Sequence, residues 1–118
     1  MKIVIYNDEL RSGMQMYLAL SNRHDVRVAQ DVDDLFAMLD QAAADLTILD
    51  LVPPDSPDQP VDGLDIAHKI QTRHPQIKLV GVYDQGDQNL VKKARANGIV
   101  ELIARPIKNR ELLGLIEK

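Results

Sequence analysis

Apolar positions along the chain follow two alternating periods. "KIVIY" (Lys2–Tyr6), "LTIL" (Leu46–Leu49), "KLVGV" (Lys78–Val82) and "VELIA" (Val100–Ala104) are short, nearly continuous apolar runs rich in β-branched residues. Such runs suit parallel strands covered on both faces. "DVRVA" (Asp25–Ala29) alternates instead, which suits an edge strand. Between the runs the period lengthens to that of a helix. Leu10, Met14, Tyr17 and Leu18 form one stripe at i, i+4, i+7 and i+8, and Leu35, Met38, Leu39 and Ala42 form another. Asp62 is placed to cap a third helix carrying Leu64, Ala67 and Ile70, which ends near His74–Pro75. Leu90, Val91 and Ala94 mark a fourth, closed by Asn97–Gly98, and Leu112, Leu115 and Ile116 mark the last. Five strands and five helices in strict alternation, joined by right-handed crossovers, predict an α/β fold: a doubly wound parallel sheet with helices on both faces.

Composition narrows the field without choosing a function. The chain of 118 residues is one domain's worth, 45% hydrophobic, and no apolar run approaches a membrane span. "MKIVIYNDE" places acids directly behind a short apolar run, so it does not read as a signal peptide, and a cytoplasmic location is expected. The absence of cysteine excludes thiolate chemistry, disulfides and zinc knuckles. A net charge of -4 argues against general affinity for nucleic acid or an anionic membrane.

In doubly wound sheets the ligand crevice lies at the carboxyl ends of the strands. The residues there are Asn7, Asp8 and Glu9 after the first strand, Asp50 after the third, Tyr83 and Asp84 after the fourth, and Arg105 and Pro106 after the fifth. One Asp behind a strand is ordinarily a turn residue or a helix cap. Convergence from several strands is different. Carboxylates meeting on one rim repel unless a cation sits between them, and oxygen-rich sites of that kind suit magnesium. Arg105 adds a fixed positive charge able to meet a phosphoryl oxygen. Together these groups are the equipment of an aspartyl-phosphate site.

The order of these residues resembles the response-regulator receiver domain, the CheY-like family, across essentially the whole chain. "DLTILDLVPP" is similar to its phosphoacceptor segment, "DGLDIAHKI" to the start of its third helix, and "NGIVELIARP" to its fifth strand with the cis peptide before proline. The resemblance implies sheet order 2-1-3-4-5 and a single receiver domain over residues 1–118, with Met1 and the fifth helix pointing to an entire receiver. It implies Asp50 as phosphoacceptor, Arg105 as phosphoryl contact in the family's lysine position, and Tyr83 in its Ser/Thr position. Magnesium would be held by Asp8, Asp50 and the backbone carbonyl of Val52, with Asn7 acting through a water. Implied partners are a sensor histidine kinase or phosphotransfer protein and a downstream target or output domain. Direct contact with nucleic acid or membrane is not implied, and a weak homodimer is allowed. Such a module is not an enzyme, beyond assisting its own phosphorylation and dephosphorylation.

Several positions depart from the family pattern. Asn7 replaces an acid and so removes one charge from the metal site. Arg105 replaces lysine, and its planar fork approaches a phosphoryl group differently. A phenol at Tyr83 cannot copy the swing of a small hydroxyl, Leu102 has no ring to rotate, and Asp84 brings a further acid beside the site. The segment after Asp50 runs about five residues longer than in the family, with Pro53, Pro54, Pro57 and Pro60 among Asp55, Asp58 and Asp62. These departures motivate an alternative, a phosphorylation-independent pseudo-receiver that binds protein partners. A true enzyme on this sheet is disfavoured. Val52 stands where an aspartate-nucleophile phosphatase needs a second acid, and no nucleotide-binding glycine motif is present. His24, His68 and His74 share no ligand spacing and read as surface residues, and Lys92, Lys93 and Arg95 as a solvated helix face.

Overall fold

In a computed structural model, which describes residues 1–6, 10–41, 44–51, 63–99 and 101–117, the ten expected elements are present in the expected order. They are β1 (Lys2–Tyr6), α1 (Leu10–Leu20), β2 (Asp25–Val28), α2 (Val32–Gln41), β3 (Leu46–Asp50), α3 (Gly63–Arg73), β4 (Lys78–Asp84), α4 (Gln88–Ala96), β5 (Glu101–Arg105) and α5 (Asn109–Ile116). The strands form one parallel sheet in the order β2-β1-β3-β4-β5. β3 lies at its centre and is buried along its whole length, which explains why "LTILD" has no alternating pattern. β2 is an edge strand, as its alternation predicts, and β5 is the other edge.

Alternation along the strands divides the core into two layers. Val4, Leu49, Leu79 and Leu51 point to the side covered by Leu35, Leu39, Ile66, Ile70, Leu90 and Ala94 of α2, α3 and α4. Ile3, Ile5, Ile48, Val80, Val82 and Ile103 point to the side covered by Met16 and Leu20 of α1 and Leu112 and Ile116 of α5. Each fully buried side chain of this size contributes about 1.5–3 kcal/mol relative to exposure. Both layers therefore carry a full share of the folding energy.

Helix α1 departs from the sequence reading. Met14, Tyr17 and Leu18, taken as its buried stripe, are exposed, and Met16 and Leu20 enter the core instead. The apolar residues of "LRSGMQMYLAL" spread over an arc wider than one stripe, so its period admits Met16 and Leu20 as well as Met14, Tyr17 and Leu18 and does not choose between them. A polar contact decides. The Gln15 side-chain amide donates to the carbonyl of Ile107 and to Asn109 Oδ1 at 3.1 Å, fixing the helix against the start of α5. Two of the three histidines also depart from expectation. His24 and His74 are half-buried, His74 Nε2 lying 2.8 Å from Asp40 Oδ1 and His24 Nε2 lying 3.7 Å from Glu117 Oε1, whereas His68 is exposed.

Helix ends follow local chemistry. Asp87 caps α4 by accepting from the Leu90 amide at 3.1 Å, and Gly98, with φ +85, ends the turn behind Asn97 as the "NG" pair predicts. Lys78 Nζ donates to the Leu115 carbonyl at 2.9 Å, serving an otherwise orphaned acceptor in the last turn of α5. The expected cap Asp62 lies outside the described residues.

Gly63 opens α3 directly against the backbone that follows β3. A Cβ there would sit 2.6 Å from the Asp50 carbonyl oxygen and 2.7 Å from Leu51 Cα, neither of which can rotate away. Gly63→Ala should therefore cost about 1–3 kcal/mol in urea unfolding. Gly114→Ala, in α5 with open space at its Cβ, should instead gain about 0.5–1 kcal/mol.

Candidate functional site

β3 ends at Asp50, and its amide neighbour keeps the ladder going for one more residue: Leu51 N–H donates to the Val82 carbonyl at 2.8 Å. The Asp50 side chain, one of only two buried polar or charged side chains among the described residues, is thus held at the rim with 7% of the residue exposed. Tyr6, the last residue of β1, is the register partner of Leu49, so β1 and β3 finish at nearly the same level.

Charge complementarity is supplied from the far edge of the sheet. In β5, strand alternation puts Arg105 on the same face as Ile103, the face to which Ile48 and Asp50 also belong. Its Nη1 donates to Asp50 Oδ2 at 3.2 Å. The side chains of this pair are 11% and 5% exposed, so the ion pair is largely desolvated. Arg105–Pro106 is a cis peptide bond, as the sequence resemblance implies.

A third group completes the described part of the site. Asp84 ends β4 as the register partner of Arg105. Its Oδ1 accepts from Arg105 Nε at 2.9 Å and lies 2.8 Å from Nη2. The guanidinium therefore spans two carboxylates, its Nε/Nη2 edge on Asp84 and its Nη1 on Asp50. The sequence reading set Asp84 beside the site only as an extra acid; its hold on Arg105 was missed. The available signal was that Asp84 and Arg105 both stand at the ends of apolar runs; their register as neighbours is set by the sheet.

Tyr83 takes the opposite face. With Leu102 it packs against the layer under α2, α3 and α4, and the two help line a shallow hollow of about 410 Å³ with Ala104, Glu111, Gly114 and Leu115. The structure thus brings together Asp50, Arg105 and Asp84, and sets Tyr83 on the other side of β4. Asp8, Asn7 and Val52 lie outside the described residues, as do Pro53 to Asp62. Among the described residues no group of three His, Asp or Glu side chains is clustered for a metal. Asp50, the described member of the expected set, is a hard oxygen donor of the kind magnesium takes.

A doubly wound sheet of this order, with a buried carboxylate at the tip of its central strand and a basic residue answering it from β5, defines a receiver-type signalling fold. Comparison with known proteins agrees: the response regulator receiver domain model matches residues 3–117, and the chain belongs to that family. It is 26% identical over 95 residues, 80% of this chain, to the DNA-binding transcriptional regulator NtrC of Azospirillum brasilense, but spans only 19% of that protein. The crystal structure of the receiver domain of NtrX from Brucella abortus superposes with a TM-score of 0.87 at 27% identity, covering 98% of this chain and 94% of that one. A longer NtrX chain from the same organism matches equally well, with 26% of its length covered. A CheY-like receiver from Methanospirillum hungatei, at 20% identity and a TM-score of 0.82, shares the fold. The chain is accordingly a signalling module of two-component systems, and no described helix is long and apolar enough to cross a membrane.

The Asp50–Arg105 pair should be visible in stability. Breaking a desolvated pair from one side leaves a charge with reduced compensation, so Arg105→Met should cost about 1–3 kcal/mol in chemical denaturation. Adding Asp50→Asn to that variant should recover part of the loss. A double-mutant cycle with a coupling near zero would contradict the pairing.

Proposed function

We propose that this receiver accepts a phosphoryl group on Asp50 from the phosphohistidine of a sensor kinase or phosphotransfer protein, with magnesium as cofactor. The carrying observation is the buried carboxylate at the centre of the sheet rim with a guanidinium 3.2 Å away. In the transfer an Asp50 carboxylate oxygen attacks phosphorus and a P–O bond forms. The P–N bond to the donor imidazole breaks, and the imidazole keeps the electron pair and takes up a proton. Arg105 would meet the transferred group, where a guanidinium can offset its charge of about -2. Tyr83, in the family's Ser/Thr position, would act from the neighbouring layer on the partner-facing surface rather than on the phosphoryl group.

Asp8, Asp50 and the Val52 carbonyl would hold magnesium directly, and Asn7 through a water. Bound there, the ion would neutralise charge gathering between the carboxylate and the incoming phosphoryl oxygens. The chain would assist its own phosphorylation and dephosphorylation without being an enzyme for another substrate. We read residues 1–118 as a single receiver acting in the cytoplasm, on a downstream protein or an attached output domain, with a weak homodimer as a compatible assembly. No direct contact with nucleic acid or membrane is part of this reading. An output domain like that of the DNA-binding regulator NtrC is one form the downstream element takes in a similar protein.

A second reading is supported by Tyr83 and Leu102, whose packing into the apolar layer leaves the family's hydroxyl and ring positions without their usual chemistry. On that reading the chain is a pseudo-receiver, working through protein contacts alone. Acetyl phosphate with magnesium separates the two. Intact-mass analysis should show one phosphoryl adduct on the wild type and none on Asp50→Asn. An unmodified wild type, or an equal adduct on the variant, would favour the pseudo-receiver.

A further inference from the structure

We propose that Asp84 is a positioning residue for this site: it is the resting-state counter-ion of Arg105, and surrender of the guanidinium from Asp84 to a phosphoryl group on Asp50 is the switching motion of this receiver. The inference rests on the phosphoacceptor reading of Asp50 and adds a residue and a movement to it.

The geometry is lopsided. Asp84 Oδ1 accepts from Nε at 2.9 Å and faces Nη2 at 2.8 Å, whereas Asp50 Oδ2 accepts from Nη1 at the longer distance of 3.2 Å. In the unmodified protein the better edge of the guanidinium is therefore committed to Asp84. The environments are lopsided in the opposite sense. The Asp84 side chain is 57% exposed and the Asp50 side chain 5%. Charge interactions are stronger where water is excluded, and an exposed carboxylate returns to solvent at small cost. Phosphorylation raises the charge at the buried partner from -1 to about -2 and adds acceptor oxygens. Both changes draw the guanidinium edge away from Asp84 and toward position 50.

The freed carboxylate stands where it can be felt. The Asp84 carbonyl accepts from the Asp87 amide at 3.1 Å, and the Asp87 side chain in turn caps α4 through Leu90. The Gln85 amide donates to the Arg105 carbonyl at 3.2 Å, so β5 and the β4–α4 turn are tied at the same level. A charge released at Asp84 is thus three residues from the cap of α4, near a helix end that attracts negative charge. With Leu102 in place of a ring and Tyr83 on the other face, this ion pair gives the site a described route to the head of α4.

The test measures beryllofluoride affinity in saturating magnesium, together with the backbone amide spectrum, for wild type, Asp84→Asn and Asp84→Glu. Removing the competing charge should tighten binding by about fivefold in Asp84→Asn. Asp84→Glu should restore wild-type affinity. Beryllofluoride should displace the Asp87–Leu90 amides in the wild type and in Asp84→Glu, and that displacement should be largely lost in Asp84→Asn, which has no charge to release, a loss that a merely structural role for Asp84 would not produce. Equal or weaker binding by Asp84→Asn, with a normal adduct on the wild type, overturns this inference alone. Failure of all three proteins to bind overturns the phosphoacceptor reading and this inference with it.

Discussion

A carboxylate buried at the end of a central strand is the constraint around which the rest of the site is arranged. Desolvating Asp50 raises the energy of its charge, and the fold answers with a guanidinium that is itself nearly hidden. That answer comes from the outermost strand on the far side, across β4, so the twist and register of three strands must all be right for the pair to form. Arg105 has the reach and the planar fork for the span. A second carboxylate, Asp84, holds the other edge of that fork and keeps the guanidinium oriented.

The packing behind the rim serves the same geometry. Leu51 pairs with Val82 beyond Asp50, so the acid is set within a continued ladder rather than on a free end. Gly63 and Gly81 let neighbours come close: the first brings α3 onto the backbone of Asp50 and Leu51, and the second leaves room in β4 for the Leu51 and Leu102 side chains. Cβ atoms at either place would push on the segment that carries Asp50. The side-chain face of α1 is fixed similarly from outside the helix, by Gln15 binding the chain just ahead of α5.

Much of this was legible in the residues. Four continuous apolar runs and the alternating "DVRVA" marked the strands to within a residue or two, because central parallel strands need continuous apolar sequence and an edge strand does not. "NG" marked the end of α4, since Gly98 must adopt a positive φ there. Strand-end chemistry singled out Asp50 and Arg105, which the fold brings to 3.2 Å. Other features were not legible. Met14, Tyr17 and Leu18 keep helical spacing yet face outward, and His24 and His74 tuck against Glu117 and Asp40. In each case the deciding partner is more than thirty residues away in sequence.

What the sequence alone determined is the alternation of strands and helices, the receiver family and the set of charged residues at the strand ends. These follow from local periods and from which residue types terminate an apolar run, and both are properties of short segments. Only the tertiary structure decided which face of α1 is buried, which side of β4 Tyr83 takes, and that Arg105 is divided between Asp50 and Asp84. Those outcomes depend on register between strands and on the relative burial of two like charges, and neither quantity exists until the sheet has formed.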